Sequence, residues 1–170
     1  MPGYTTNGIN VEGIPAESPI DWDNMIDVYN SSATGKQKKA VAQLMHYCGV
    51  GVEMMYNIGA NGGSAAYSYK VVDALKTYFG YGSSVRLITT DNPGSDSWDS
   101  SRYKEVSNGR PTYLAGSNKD GGHAFVCDGY DGNGCFHINW GWSGGGPDGY
   151  YMFSKLNPGS QGTGGSSGGY

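Results

Sequence analysis

Gly121-Gly122-His123-Ala124-Phe125-Val126-Cys127-Asp128-Gly129-Tyr130-Asp131-Gly132-Asn133-Gly134-Cys135-Phe136-His137-Ile138-Asn139-Trp140-Gly141-Trp142 decides how the rest of the chain is read. An apolar run enters a turn rich in Asp, Gly and Asn, and a second apolar run leaves it, which is the pattern of a β-hairpin. Centring the turn near Asp131 places Asn139 opposite His123, His137 opposite Phe125, and Cys135 opposite Cys127. Side chains alternate along a strand, so these six share one face, while Ala124, Val126, Phe136 and Ile138 point to the other.

A neutral imidazole serves as a general base only when something fixes its tautomer and ring plane. An Asn amide directly across the ladder, about 5 Å away at Cβ, can do so through its carbonyl oxygen. Trp140 and Trp142 then shield that bond from water. Such a base is suited to taking the proton from a thiol. The residues alone leave open an ordinary hairpin whose His and Asn merely satisfy each other.

Gly122-His123, the sixteen-residue step to Asn139, and Asn139-Trp140-Gly141-Trp142 resemble the His/Asn half of a papain-like cysteine protease. More narrowly, they resemble the streptopain (interpain) family of secreted bacterial cysteine endopeptidases. The likeness runs in order from Trp22 through Leu44-Met45, Val52-Glu53-Met54, Gly63-Ser64-Ala65 and Phe79-Gly80-Tyr81 to Leu156-Asn157-Pro158 and Gly162-Thr163-Gly164-Gly165. The resemblance implies His123 as base, Asn139 as its orienting partner and Trp140 as their cover. It implies Ser64, Gly122 and Trp142 as contacts to substrate. It also implies secretion, a virulence role, and a nucleophilic Cys on a helix N-terminal to everything in this chain. The expectation is therefore a His-bearing part of a catalytic domain, silent without that Cys.

The chain's own cysteines fit the nucleophile poorly. Cys127 is four residues from His123 on one strand, roughly 13 Å at a strand's rise, and Cys135 faces Cys127. Cys48 lies in Leu44-Met45-His46-Tyr47-Cys48-Gly49, read as the apolar stripe of a helix where a free thiol behaves as a small hydrophobe. Cys127 and Cys135 are expected as neighbouring thiols, reduced because a cross-strand disulfide is strained. A metal site at Cys127, Cys135 and His137 lacks a fourth ligand and the close Cys spacing. No metal or other cofactor is expected.

Composition bounds the rest. The 170 residues hold 30 Gly and 14 Tyr, with a net charge of −4. Acidic balance argues against nucleic acid, since neutralising phosphate takes clustered Lys and Arg. The only basic cluster, Lys36 to Lys39, reads as solvated helix. No apolar run approaches the roughly 20 residues that span a bilayer, and no export signal opens the chain, so Met1-Pro2-Gly3 reads as the start of a fragment. Expected partners are a protein or peptide substrate and, by resemblance, the absent N-terminal segment, a propeptide or a proteinaceous inhibitor.

Along the chain, residues 1–20 read as an extended surface segment, with Trp22 and Met25 as core contacts beyond it. A helix from Gln37 carries Ala40, Val41, Leu44, Met45 and Cys48 on one face, and 50–56 adds a turn or two. Ser64 reads as the N-cap of a helix closed by a left-handed Gly80. Ser84–Thr89, Pro111–Gly116 and Gly149–Phe153 read as strands, Trp98–Ser107 as a helix, and 118–122 as a loop bringing backbone close to substrate. Residues 158–170 read as a flexible tail or active-site loop.

The expected architecture is α+β, with two principal helices on a curved, mostly antiparallel sheet in a single partial catalytic domain over 1–170. Two other functions compete with the endopeptidase. One is a Cys/His amidase acting on cell-wall peptides; the other is a nucleophile-less binding or degenerate protease domain.

Overall fold

The computed structural model describes residues 1–58, 63–89, 97–118, 121–142 and 147–156. It gathers the chain into two compact units, 1–87 and 88–170. The 158–170 segment, expected as a flexible tail or active-site loop, lies outside the described residues. The fold is α+β as expected. All strand pairings among the described residues are antiparallel, and the α-helices described are the two principal ones and the one expected over Trp98–Ser107.

In the first unit, β1 (Tyr4–Thr6) and β2 (Ile9–Val11) form a hairpin where only extended chain was expected. The Met1 amine donates to the Ile14 carbonyl at 2.7 Å, and the Ile14 N–H donates to the Met1 carbonyl at 2.9 Å. Val11 and Ile14 then enter a core with Tyr47 and Val50. The first helix, α1 (Gly35–Gly51), starts at a capping box: the Gln37 N–H donates to Thr34 Oγ1, and the Thr34 N–H donates to Gln37 Oε1. Its buried residues are Ala40, Tyr47, Gly49 and Val50. Met45 is 68% exposed and Cys48 is exposed as well, so the expected stripe was rotated. Trp22, in a single 3-10 turn, is 62% exposed rather than a core contact.

The chain after α1 turns directly into β3 (Met55–Ile58), which pairs with β4 (Gly63–Ala65), instead of adding helical turns. Ser64 therefore lies in a strand. The helix it was expected to cap, α2 (Ser68–Tyr78), begins after Tyr67. Gly80 does adopt the left-handed conformation beyond that helix, with φ +72°. Residues 84–88 are irregular, not a strand.

The second unit is a four-stranded sheet in the order β5-β6-β7-β8, with α3 (Trp98–Ser107) packed on β5 and β6. Its strands are β5 (Thr112–Asn118), β6 (Gly121–Tyr130), β7 (Phe136–Asn139) and β8 (Gly149–Tyr151). Gly122 sits in β6 opposite Ser117, so its backbone is strand rather than loop.

The β6–β7 hairpin exists, but its register is displaced by three residues from a turn centred at Asp131. Val126 pairs with Asn139 and Cys127 with Ile138, and a bulge lies between Cys127 and Gly129. Because the displacement is odd, the face assignment inverts along the His-bearing half. Phe125, Cys127, Phe136, Ile138, Trp140 and Trp142 form one buried cluster with Leu156. Asn139 is exposed, and His137 turns away to hydrogen-bond Asp128 at 2.5 Å.

The turn shifts the register by four residues, pairing Tyr130 with Phe136, and the bulge takes one back. Asp131 Oδ1 accepts the N–H groups of Asn133 and Cys135 at 2.7 and 3.0 Å, and the Asp131 N–H donates to the Cys135 carbonyl. These backbone bonds hold the Asp131 carboxyl below the usual carboxylate range. Cys135 is spent on closing the turn and does not face Cys127, so the expected thiol neighbours are apart in register. All three cysteines are free thiols. Arg102 of α3 is buried, with its guanidinium 4.9 Å from the centre of the Phe153 ring. Desolvation lowers its pKa to about 10, so it remains charged at neutral pH. Among the described residues no helix is long and apolar enough to cross a membrane.

Cys127 is wholly buried, and burial pushes its thiol pKa up. In the folded protein, alkylation should reach Cys48 and Cys135 first, and Cys127 only after denaturation, as read by peptide mapping. A thiol held neutral by the fold contributes stability that is full below the unfolded thiol pKa. That contribution is lost as pH rises through the folded value, so alkaline melts should fall less steeply for Cys127→Ala than for the native chain.

Candidate active site

His123 stands in β6 opposite Gly116, half-buried. Following the hairpin register past the end of β7 brings His123 level with Trp142, whose ring centre lies 5.1 Å from the imidazole. Phe125 and Trp140 complete the surround, their ring centres 6.2 and 6.4 Å from that of His123. Trp140 is itself fully buried, against Phe125 at 4.7 Å, Trp142 at 5.6 Å and the edge of Tyr151 at 5.6 Å. Both indoles thus lie beside the histidine. Trp142 is likewise buried, and its Nε1 has no hydrogen-bond partner among the described residues.

The histidine's partner is different from the one expected. His123 Nε2 lies 2.8 Å from the backbone carbonyl of Trp140. A carbonyl only accepts, so Nε2 carries the hydrogen. In the neutral ring the basic lone pair is then on Nδ1.

Asn139 does not face His123. Its Oδ1 accepts the N–H of Gly141 at 2.9 Å. That N–H belongs to the same peptide group as the Trp140 carbonyl. The chain of bonds therefore runs from His123 Nε2–H to the Trp140 carbonyl, across one peptide unit, and from the Gly141 N–H to Asn139 Oδ1. Polarising the peptide at its N–H end makes its oxygen a better acceptor. Gly141 is held at φ +74°, a conformation that side chains with a Cβ adopt only at a cost. Trp140's own N–H donates to Asp148 Oδ1 at 2.8 Å.

Ser64 is exposed in β4 of the first unit, and Gly122 is exposed in β6 beside His123. A Cβ on Gly122 would meet its nearest neighbour, the Gly116 carbonyl, at an ordinary 3.6 Å, so the fold itself does not demand glycine there. Among the described residues no group of three His, Cys, Asp or Glu could hold a metal ion. Of the thiols, Cys127 is sealed in the core. Cys48 has its pKa raised by desolvation, the opposite of a reactive thiolate.

The α+β fold is found in solved cysteine proteases. Active wild-type interpain A cysteine protease of Prevotella intermedia superposes with a TM-score of 0.80 at 38% identity, over 90% of this chain and 63% of that one. A prointerpain A fragment of the same organism, a Cys-to-Ala mutant, superposes with a TM-score of 0.75 at 39% identity, over 86% of this chain and 45% of its own. The fold is thus that of the papain-like cysteine proteases. Residues 3–151 match the Peptidase C10 family, and the chain belongs to it. Streptopain of Streptococcus pyogenes serotype M28 is 43% identical over 150 residues, and the match takes in 88% of this chain. The thiol protease/hemagglutinin PrtT of Porphyromonas gingivalis is 38% identical over the same length. The chain spans 37% of the streptopain and 17% of PrtT.

Gly141 tests the relay. Gly141→Ala should destabilise the chain by about 1–2 kcal/mol through left-handed strain. It should also convert part of the neutral His123 from the Nε2–H to the Nδ1–H tautomer, read by 15N NMR of the ring. An unchanged tautomer with the strain present would separate the peptide from the histidine.

Proposed function

We propose that this chain supplies the general base for peptide-bond hydrolysis by a secreted bacterial cysteine endopeptidase. The observation that carries the reading is the fixed Nε2–H of His123 inside an aromatic surround, which leaves Nδ1 as the basic atom. Membership of the Peptidase C10 family and the thiol protease names of its relatives support it.

In the proposed step, a cysteine thiol gives its proton to Nδ1 and the thiolate sulfur attacks the peptide carbonyl carbon. The carbon–nitrogen bond then breaks, and the imidazolium returns the proton to the leaving amine. Water, deprotonated by the same ring, hydrolyses the thioester. The transient imidazolium lies within the roughly 6 Å at which an indole face attracts a cation, Trp142 being 5.1 Å away. Excluding water from the Nε2–H bond strengthens it.

None of Cys48, Cys127 and Cys135 suits the nucleophile, so the thiol belongs to another part of the longer protein. The relative whose proform fragment was solved as a Cys-to-Ala mutant is consistent with such a thiol and with a propeptide partner. On this reading residues 1–170 are one part of a catalytic domain. The substrate contacts assigned to Ser64, Gly122 and Trp142 rest on resemblance alone. Asn139 acts on His123 through the peptide between Trp140 and Gly141.

The test is casein hydrolysis by the full-length protein and by this chain, each with an irreversible thiol reagent. The longer protein should turn over and be silenced by the reagent, and His123→Ala should lower its kcat by at least about a thousandfold. This chain alone should be inactive. Turnover by the chain with the label on Cys48 would overturn the assignment.

A further inference from the structure

The Trp140 carbonyl can orient His123 only if the backbone at Trp140 is itself held, and β7 ends one residue before it. The last ladder pair is Ile138 with Gly149. Continuing that register brings Trp140 level with Pro147, which has no N–H to offer and whose carbonyl receives the Tyr151 hydroxyl. The regular sheet therefore stops short of the residue that matters. In its place the Asp148 side chain reaches back, and Oδ1 accepts the Trp140 N–H at 2.8 Å. On the other side of Trp140, Asn139 Oδ1 holds the Gly141 N–H. The two carbonyl-type oxygens pin the peptide groups before and after the Trp140 Cα, and so fix the direction in which the Trp140 carbonyl points.

We propose that Asp148 is a positioning residue for His123, acting through the backbone of Trp140. The proposal rests on the reading of His123 as general base. Asp148 replaces the missing ladder acceptor, holds the carbonyl in line with Nε2–H, and thereby keeps the basic lone pair on Nδ1.

The hydrogen bond needs only an acceptor oxygen at the Oδ1 position, which gives the proposal a sharp set of variants. Asp148→Asn keeps that oxygen, Asp148→Ala removes it, and Asp148→Glu moves it by one methylene. By 15N NMR of the native chain, neutral His123 should be in the Nε2–H form. Asp148→Ala and Asp148→Glu should populate both tautomers, and Asp148→Asn should look native. In the full-length protein, Asp148→Ala should lower kcat about tenfold or more with little change in KM, and Asp148→Asn should restore most of it.

A folded Asp148→Ala with native tautomer and native kcat would overturn the proposal, as would an Asp148→Asn as impaired as the alanine. Should the alanine variant not fold, Asp148→Glu decides on the same two readouts. If His123→Ala leaves the full-length protein active, the base assignment fails. The tautomer shift in the chain would still show whether Asp148 positions the ring.

Discussion

The single extra residue in β6, the bulge between Cys127 and Gly129, is the constraint on which the His-bearing unit depends. In a two-residue period, an odd displacement moves a whole set of side chains from one face to the other. With the bulge, Phe125 and Cys127 share a face with Ile138 and Trp140, and the strands bury one continuous apolar surface. Without it, Asn139 would enter that surface and Ile138 would leave it. The bulge is in turn stabilised locally by a turn whose acceptor, Asp131 Oδ1, satisfies two backbone donors at once. Burial of large apolar side chains, worth roughly 1.5–3 kcal/mol each, thus selects the register, and the register determines which residues meet His123.

What meets it is a backbone group, not a side chain. A peptide carbonyl in a rigid, buried setting has fewer ways to move than a primary amide at the end of a side chain. Its pull on Nε2–H can also be tuned from its far end. Asn139 is linked to the histidine from an exposed position, one peptide unit removed. The geometry asks for glycine at 141, where φ is positive.

Much of this was legible, and the failures have definite causes. The hairpin, the α3 span and the aromatic surround follow from apolar periodicity, Asn-Gly punctuation and the large indoles. The pairing of His123 with Asn139 does not, because the turn runs to Cys135 and a bulge leaves no sequence mark of its own. The stripe of α1 was misjudged through Met45 and Cys48. Apolar residues at helical spacing admit two overlapping faces, and Tyr47 with Val50 took the buried one. Ser64 looked like a cap because a hydroxyl followed by an apolar run is a general helix-start signal. Here the strand pairing of β3 with β4 displaced the helix start to Ser68. The roles of Gly141 and Asp148 were invisible for a simpler reason. Both lie at the peptide groups that flank the Trp140 Cα, and no side-chain pattern encodes where a carbonyl points.

Trp140 joins the two demands. Its indole is a fully buried member of the core cluster, and its carbonyl is the group that fixes His123. A change that loosens the core at Trp140, Phe125 or Ile138 moves the carbonyl with it. Stability and histidine geometry are thus coupled through one residue's rigid backbone. An isolated surface His–Asn pair would lack that coupling, since either side chain could rotate without disturbing the fold. Placing the orienting acceptor on a core residue means that the imidazole is held in one orientation whenever the unit is folded.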